Sequence, residues 1–168
     1  CIRDALNHQA PRAFGILRPL KVTITNYPEG QVEMIEVPLF PEDVGHPGVR
    51  TLSFSGELHV EADDFREVAP KGWHRLAPGA EVRLLQAYCI RCEEVVHDPA
   101  TGEVIELKCS YDPETRGRSP EGRRVRGSIH WLSANEAVPC EVRLYDRLFS
   151  VERPDGDPDV HFLEHVNP

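Results

Sequence analysis

The run RGRSPEGRRVR at residues 116–126 carries five arginines and one glutamate. A guanidinium group can meet a phosphate through two parallel hydrogen bonds. The run therefore predicts a surface that follows a nucleic-acid backbone, although a loop whose charges only keep the protein soluble is the alternative. The candidate backbone-contacting residues are Arg116, Arg118, Arg123, Arg124 and Arg126.

A second candidate site is the triplet Trp73-His74-Arg75. Sites for single-stranded RNA stack splayed bases on aromatic rings and hold the backbone with neighbouring cations. The triplet supplies one aromatic ring and two such side chains, and it predicts a base-binding site. The alternative is that Trp73 belongs to the hydrophobic core.

The sequence lacks complete motifs for nucleophilic catalysis, nucleotide binding or metal binding. The sequence contains no G-x-S-x-G, no G-x-x-x-x-G-K-[ST] and no G-x-G-x-x-G, so neither a serine nucleophile nor a nucleotide cradle is predicted. His59, Glu61 and Cys140 match the zinc-deaminase pattern only in part, because no second cysteine follows Cys140. Cys89 and Cys92 form a CxxC, but strand residues three apart point to opposite faces. No metal site is predicted.

Composition limits the class of protein. A chain of 168 residues, 40% hydrophobic and 28% charged, is long enough for one domain or two small barrels. The net charge of −9 argues against a generally basic RNA-binding surface, so any such surface must be local. No apolar run approaches about 20 residues, so no membrane span is predicted. Five cysteines, an odd number, favour a reduced, cytoplasmic protein.

The elements that must position these residues are short strands, recognised by alternation of apolar and polar residues. In residues 20–25 the inward side chains are Leu20, Val22 and Ile24, and residues 32–37 are expected to return as the hairpin partner. Residues 81–96 form one long strand or a bent pair. The remaining predicted strands are residues 57–61, 105–111, 123–131 and 138–145, and the strand at 105–111 is expected to return from a hairpin loop at 98–102.

The strand at 123–131 has a cationic outward face that includes Arg124, Arg126 and His130, opposite an inward face ending at Trp131. In the next strand, the residues predicted to point inward are Val138, Cys140, Val142 and Leu144. Two short helices are also expected. One is a helix tail ended by Asn7 and Pro11, and the other runs over residues 63–69. Many short strands at regular spacing predict an all-β fold of antiparallel barrels.

Four sequence blocks resemble the C-terminal β-barrel anticodon-binding region of the glutaminyl-tRNA synthetase family. In chain order they are LRPLKVTITNYPE (17–29), EVRLLQAYCIRCEEVV (81–96), CSYDPETRG (109–117) and GRRVRGSIHWLSANEAVPCEVRLYDRLFSV (122–151). They occur in the family's order, and the resemblance extends from about residue 2 to residue 151.

The resemblance implies a fold of two small antiparallel β-barrels of the class I glutamyl/glutaminyl type. It implies three segments: residues 1–19 as the tail of a preceding helical segment and the barrel entry, residues 20–151 as two interleaved barrels that are incomplete at the C-terminus, and residues 152–168 as an acidic linker. It also implies anticodon contacts by Asn7 and Arg12 in NHQAPRAF, and by Arg75 and Arg83. With the aromatic triplet, the expected anticodon site comprises Asn7, Arg12, Trp73, His74, Arg75 and Arg83.

The function implied is anticodon recognition within a glutamine–tRNA ligase, whose catalytic domain lies in the same polypeptide and uses ATP and Mg²⁺. HIGH-type and KMSKS-type motifs are absent from these residues. No catalytic residue or cofactor is therefore assigned to this chain, which alone is expected to be inactive. The expected partner is glutamine tRNA, and the expected state is a cytoplasmic monomer. The alternatives are the anticodon-binding region of an archaeal/eukaryotic-type glutamyl-tRNA synthetase, and a β-barrel protein-interaction module without RNA binding.

Overall fold

The computed structural model describes residues 2–41, 44–45, 47–156 and 158–167, in two compact units, residues 1–138 and 139–168. The first unit begins with helix α1 (Ile2–Gln9), none of whose residues is buried. The prediction that Asn7 helps to end this helix is wrong, because the Ala10 N–H still donates to the Leu6 carbonyl at 2.9 Å. The helix ends just before Pro11. Across the described ranges, no helix has the length and apolar character needed to cross a membrane.

Strands make up most of the regular structure in the described residues, which confirms the all-β prediction. Seven of them form one sheet that curves as a half-barrel, in the order β8-β5-β6-β7-β1-β4-β9, and β2 and β3 form a separate pair. The strands are β1 (Pro19–Ile24), β2 (Glu33–Pro38), β3 (Val49–Phe54), β4 (Glu57–Glu61), β5 (Glu81–Leu84), β6 (Cys89–His97), β7 (Val104–Asp112), β8 (Ser128–Ile129) and β9 (Leu132–Ser133).

Two of the pairings are parallel. β1 runs parallel to β7, with Lys21 opposite Glu106, and β5 runs parallel to β8, with Arg83 opposite Ser128. The other pairs of strands are antiparallel, including β5 with β6. Of the two arrangements predicted for residues 81–96, a long strand or a bent pair of strands, the structure has the bent pair. The chain reverses between them at Gln86, whose φ of 62° lies in the left-handed region.

The predicted hairpin between residues 20–25 and 32–37 is wrong. β1 has β4 on one edge and β7 on the other, so neither edge is free for β2. β2 pairs instead with β3, a strand that was not predicted. At the start of β2, Glu33 accepts hydrogen bonds from the hydroxyls of Tyr27 (2.7 Å) and Tyr88 (2.8 Å). Burial, reinforced by the hydrogen bond to Glu33, raises the pKa of Tyr88 to about 12.

The core lies along one face of the seven-stranded sheet. The inward prediction for β1 is confirmed, since Leu20, Val22 and Ile24 are all buried. The largest fully buried side chain is that of Trp131, whose ring lies 5.2 Å from that of Phe54 and whose indole N–H donates to the Leu85 carbonyl. These contacts fix the chain that follows β8.

Two predicted elements are absent from the described residues. Instead of a helix over residues 63–69, a single 3₁₀ turn (Ala62–Asp64) is followed by extended chain, because the Asp64 carbonyl accepts from Leu76 N–H and Phe65 bridges to Leu76. The strand predicted at residues 138–145 does not form, and Val138, Cys140, Val142 and Leu144 are exposed rather than inward. Among the described residues no neighbouring strand pairs with this stretch, and alternation without a partner does not produce a sheet.

The second unit folds back on itself. Phe149 bridges antiparallel to Val166, and the hydrogen bonds Ser150 N–H to His165 O (2.8 Å) and Asn167 N–H to Leu148 O (2.9 Å) flank the bridge. A 3₁₀ turn (Phe162–His165) places Phe162 with its ring centre 6.4 Å from that of Phe149. The described residues between these contacts are largely exposed.

Candidate nucleic-acid interface

Two of the predicted sites meet at one cavity. A hollow of about 170 Å³ is lined by Trp73, His74 and Arg75 from one segment, and by Arg124 and Arg126 from another. No pattern in the sequence indicates that these segments, about fifty residues apart, are neighbours. Their meeting brings one aromatic ring and three guanidinium groups to a single concave surface, here called the arginine hollow.

Gly127 explains how the segments approach so closely. An ideal Cβ at this position would lie 1.6 Å from the carbonyl oxygen of His74, so the loop carrying His74 packs directly on the glycine backbone. On its other side, the Gly127 carbonyl accepts from the Arg83 N–H at 2.9 Å, which attaches the arginine segment to β5. A side chain at residue 127 would force the two walls of the arginine hollow apart.

The aromatic wall is held from several directions. The indole N–H of Trp73 donates to the Leu76 carbonyl at 2.9 Å, and the Arg66 guanidinium lies 5.5 Å from the ring centre. Trp73 is half-buried, so the core alternative is not what the structure shows. The guanidinium of Arg75 donates to the carboxylate of buried Asp64. The wall formed by Trp73 and Arg75 is thus held in place by contacts within the chain.

Arg124 and Arg126 are exposed, as their alternation with Val125 and Gly127 predicted. Within the part of the chain that the structure describes, neither forms an ion pair with a carboxylate. Glu81 also lines the hollow, but its two oxygens already accept from the Arg123 guanidinium at 2.7 and 2.9 Å. The free positive charge of the hollow is therefore concentrated on Arg124 and Arg126.

The other arginines of the 116–126 run make contacts within the chain. Arg123 joins Glu81 to Asp112, and its hydrogen bond lowers the pKa of the Asp112 carboxyl while these two acids raise the pKa of Arg123. Arg116 pairs with Glu33 at 3.1 Å, and Arg118 pairs with Glu114 at 2.7 Å. These three guanidinium groups have an anionic partner already, so a contact with a phosphate would compete with it.

Arg83 is held in the same way. Its guanidinium donates to the carbonyls of Thr115 (3.1 Å) and Arg118 (2.5 Å), and so secures the loop that follows β7. This geometry gives Arg83 a structural role. Its predicted contact with an anticodon stays a prediction.

Asn7 and Arg12 contact each other, as Arg12 donates to the Asn7 backbone carbonyl (3.2 Å) and side-chain oxygen (3.4 Å). The Arg12 N–H donates to the Leu39 carbonyl at 2.6 Å, which anchors the segment after α1. Two residues on, the ring of Phe14 meets the ring of His130 edge to face at 5.3 Å. His130 follows β8, but the strand predicted over residues 123–131 forms only at Ser128–Ile129, so that prediction is wrong for residues 123–127. Arg124 and Arg126 therefore do not lie with His130 on one strand face.

Sequence reasoning missed Arg50. Its guanidinium carbon lies 4.9 Å from the ring centre of Phe14, the ring that also forms the T-shaped pair with His130. Its Nε and Nη2 atoms are buried without a hydrogen-bond partner among the described residues. No local signal could have found this stack, because Phe14 lies outside any strand and Arg50 belongs to the unpredicted β3.

The described residues contain no group of three or more His, Cys, Asp or Glu side chains arranged to hold a metal. Cys89 and Cys92 are both fully buried, and Cys92 lies opposite Cys109 of β7. The arrangement offers cations and an aromatic ring at a surface. Such a surface binds a polyanion with exposed bases, and it contains no nucleophile held by a base.

The comparison with protein families decides the family. Residues 10–112 match the model of the anticodon-binding domain of class I tRNA synthetases (E and Q), and residues 128–168 match a second model with the same description. The chain belongs to this family. In the anticodon-binding domain, the first match spans β1 to β7 with the aromatic wall, and the second begins at β8. The resemblance read from the sequence is thereby confirmed.

Three similar relatives of this anticodon-binding domain are glutamine–tRNA ligases. The glutamine–tRNA ligase of Pseudomonas syringae pv. tomato is 54% identical over 99% of the chain, and that of Pseudomonas aeruginosa strain LESB58 is 53% identical over 99%. The glutamine–tRNA ligase of Azotobacter vinelandii is 49% identical over 99% of the chain. The chain spans 29–30% of the length of these curated relatives.

Proposed function

We propose that this chain recognises the anticodon of glutamine tRNA as part of a glutamine–tRNA ligase. The observation that carries the proposal is the arginine hollow, where Trp73 and Arg75 face Arg124 and Arg126 in a chain 54% identical to such a ligase. A splayed base can stack on the indole, and the two arginines without a carboxylate partner can neutralise the adjoining phosphates. In the proposed ligase, ATP and Mg²⁺ act in a catalytic domain of the same polypeptide.

The choice between glutamine and glutamate rests on the relatives. The family model covers both kinds of synthetase, whereas the relatives named above are all glutamine–tRNA ligases. The proposal includes a monomer in the cytoplasm, for which sedimentation gives the direct test of mass. Anticodon contacts by Asn7, Arg12, Arg75 and Arg83 remain part of the proposal.

Binding of an anticodon stem-loop tests the function. The chain is titrated against labelled stem-loops of glutamine tRNA and glutamate tRNA at several salt concentrations. We expect tighter binding of the glutamine stem-loop and an affinity that falls steeply with salt, because phosphate contacts release counterions. Equal affinity for both stem-loops would point to the glutamyl alternative or to backbone contacts alone. If the stem-loop does not bind, or binds with no dependence on salt, the proposed RNA binding is excluded and a protein-interaction module is favoured.

Catalysis is tested separately. This chain alone is expected to show no glutamine-dependent exchange of pyrophosphate into ATP, since the motifs for that chemistry are absent from its sequence. Exchange above background with the purified chain would contradict the assignment of the chemistry to another domain.

A further inference from the structure

Asp64, a buried carboxylate beside the arginine hollow, was not among the residues predicted to contact the anticodon. Its side chain is 8% exposed, whereas that of its partner Arg75 is 53% exposed. Arg75 Nη1 donates to Asp64 Oδ1. A carboxylate is costly to bury without a charged partner. Arg75 supplies that partner while keeping much of its guanidinium in solvent.

The backbone fixes where this carboxylate sits. The Asp64 carbonyl accepts from Leu76 N–H at 2.9 Å, and the Leu76 carbonyl accepts from Arg66 N–H at 3.0 Å. These bonds tie the residues on either side of Phe65 to the residue that follows Arg75. The same short ladder therefore holds the backbones of the acid and the arginine close together, which favours the contact between their side chains.

The negative charge of Asp64 argues against a role in attracting RNA directly. A carboxylate next to a phosphate-binding surface repels the ligand, so an acid kept at this position lowers the diffuse attraction of the surface for RNA. A guanidinium has five N–H donors in a rigid plane. With one donor on Asp64, the plane is oriented and its remaining donors stay available at the hollow.

We propose that Asp64 is a positioning residue, which orients the Arg75 guanidinium for contact with RNA at the arginine hollow. The inference rests on the proposed function, because it concerns the same surface. The Arg75 side chain loses its conformational entropy when the protein folds, so RNA binding does not have to order it again. Asp64 acts through Arg75 and does not touch the RNA.

The test replaces Asp64 with asparagine and measures binding of the glutamine tRNA anticodon stem-loop by this chain. The substitution removes one negative charge, so simple electrostatics predicts tighter binding. Positioning predicts the opposite, a loss of about tenfold, comparable to the loss of one charge-assisted hydrogen bond. In Arg75→Ala the Asp64→Asn change should have no further effect on affinity, because nothing is left to orient.

Asp63→Asn is the matched control. Asp63 is the neighbouring carboxylate, 57% exposed, and it pairs with Arg18 and Arg66 rather than with Arg75. Its removal changes the net charge by the same amount and should leave affinity unchanged or slightly increased. Equal effects of the two substitutions, or tighter binding by Asp64→Asn, would overturn the positioning role.

A measurement on the unaltered protein guards against misfolding of the variant. The Nε–Hε order parameter of Arg75 in the free chain should approach that of rigid backbone, about 0.85, while that of Arg124 should fall below about 0.6. An Arg75 side chain as mobile as Arg124 would refute the inference even if no variant folds. If the unaltered chain does not bind the stem-loop, the proposed function fails instead, and a rigid Arg75 would then have only a structural role.

Discussion

The carbonyl oxygen of His74 packs against the α-carbon of Gly127, with no room between them for a methyl group. This contact joins the two walls of the arginine hollow, one from the loop before β5 and one from the segment leading into β8. It makes residue 127 a position where backbone meets backbone, and a backbone oxygen cannot swing aside as a side chain can.

Gly127→Ala should therefore destabilise the protein by about 1–3 kcal/mol, the usual cost of forcing extra volume into a packed site. Thermal or denaturant unfolding measures the change. Gly15→Ala is the control, because an added Cβ at residue 15 would meet nothing within 4 Å. If Gly127→Ala folds as stably as Gly15→Ala, the close approach is not a constraint on the fold.

Arg124→Ala should weaken binding of the anticodon stem-loop and lower the slope of log affinity against log salt by about one, as expected for one lost phosphate contact. The reason is that no carboxylate among the described residues neutralises Arg124. Arg118→Ala is the comparison, since Arg118 already pairs with Glu114 at 2.7 Å. Equal salt slopes for both variants would show that the intrachain pair does not limit Arg118.

The Arg123–Asp112 contact should make stability depend on acid pH. The hydrogen bond from Arg123 lowers the pKa of Asp112 below its value in the unfolded chain. The folded state therefore binds that proton less readily, and the stabilisation is present above about pH 4 and is lost as the pH falls through the lowered pKa. Asp112→Asn should flatten the unfolding free energy over this acid range. If the unfolding free energy of Asp112→Asn falls with acid as it does in the unaltered protein, other carboxylates cause the loss of stability.

Thiol reactivity should separate the cysteines that the structure describes. Cys89, Cys92 and Cys109 are fully buried, and burial raises the pKa of the Cys89 thiol, whereas Cys140 is exposed. Iodoacetamide should label Cys140 in the native protein and the other three only after unfolding, as peptide mapping can show. Prompt native labelling of Cys92 or Cys109 would indicate that β6 and β7 separate readily.

Much of the sheet could be predicted from alternation. β1 and β4 were recognisable because both strands bury every second side chain, as at Val22 and Leu58. The pairing could not be read, since β1 takes a parallel neighbour that lies far along the chain. The stretch around Val142 shows the converse, as it alternates well in sequence but stays exposed because no strand lies beside it in the described residues.

The candidate site was predictable in parts only. Guanidinium and indole chemistry identified Trp73 and Arg124 as possible RNA contacts, yet nothing local showed that they line the same hollow. Asp64 lies in the helix predicted over residues 63–69, and an aspartate at the start of a helix ordinarily acts as its cap. Its actual partner, Arg75, lies across a loop. Such a contact depends on the folded backbone, not on the residues adjacent to Asp64 in the sequence.

The parallel pairing of β1 with β7 has a consequence for biosynthesis. As the chain leaves the ribosome, β1 meets β4 first, and these two strands alone form a ribbon that is marginal in water. The second edge of β1 stays open until Glu106 and the rest of its register with β7 emerge. An open edge is a template for strands of other chains. A pause in translation before β7 would therefore prolong the time for which this edge can pair with another chain.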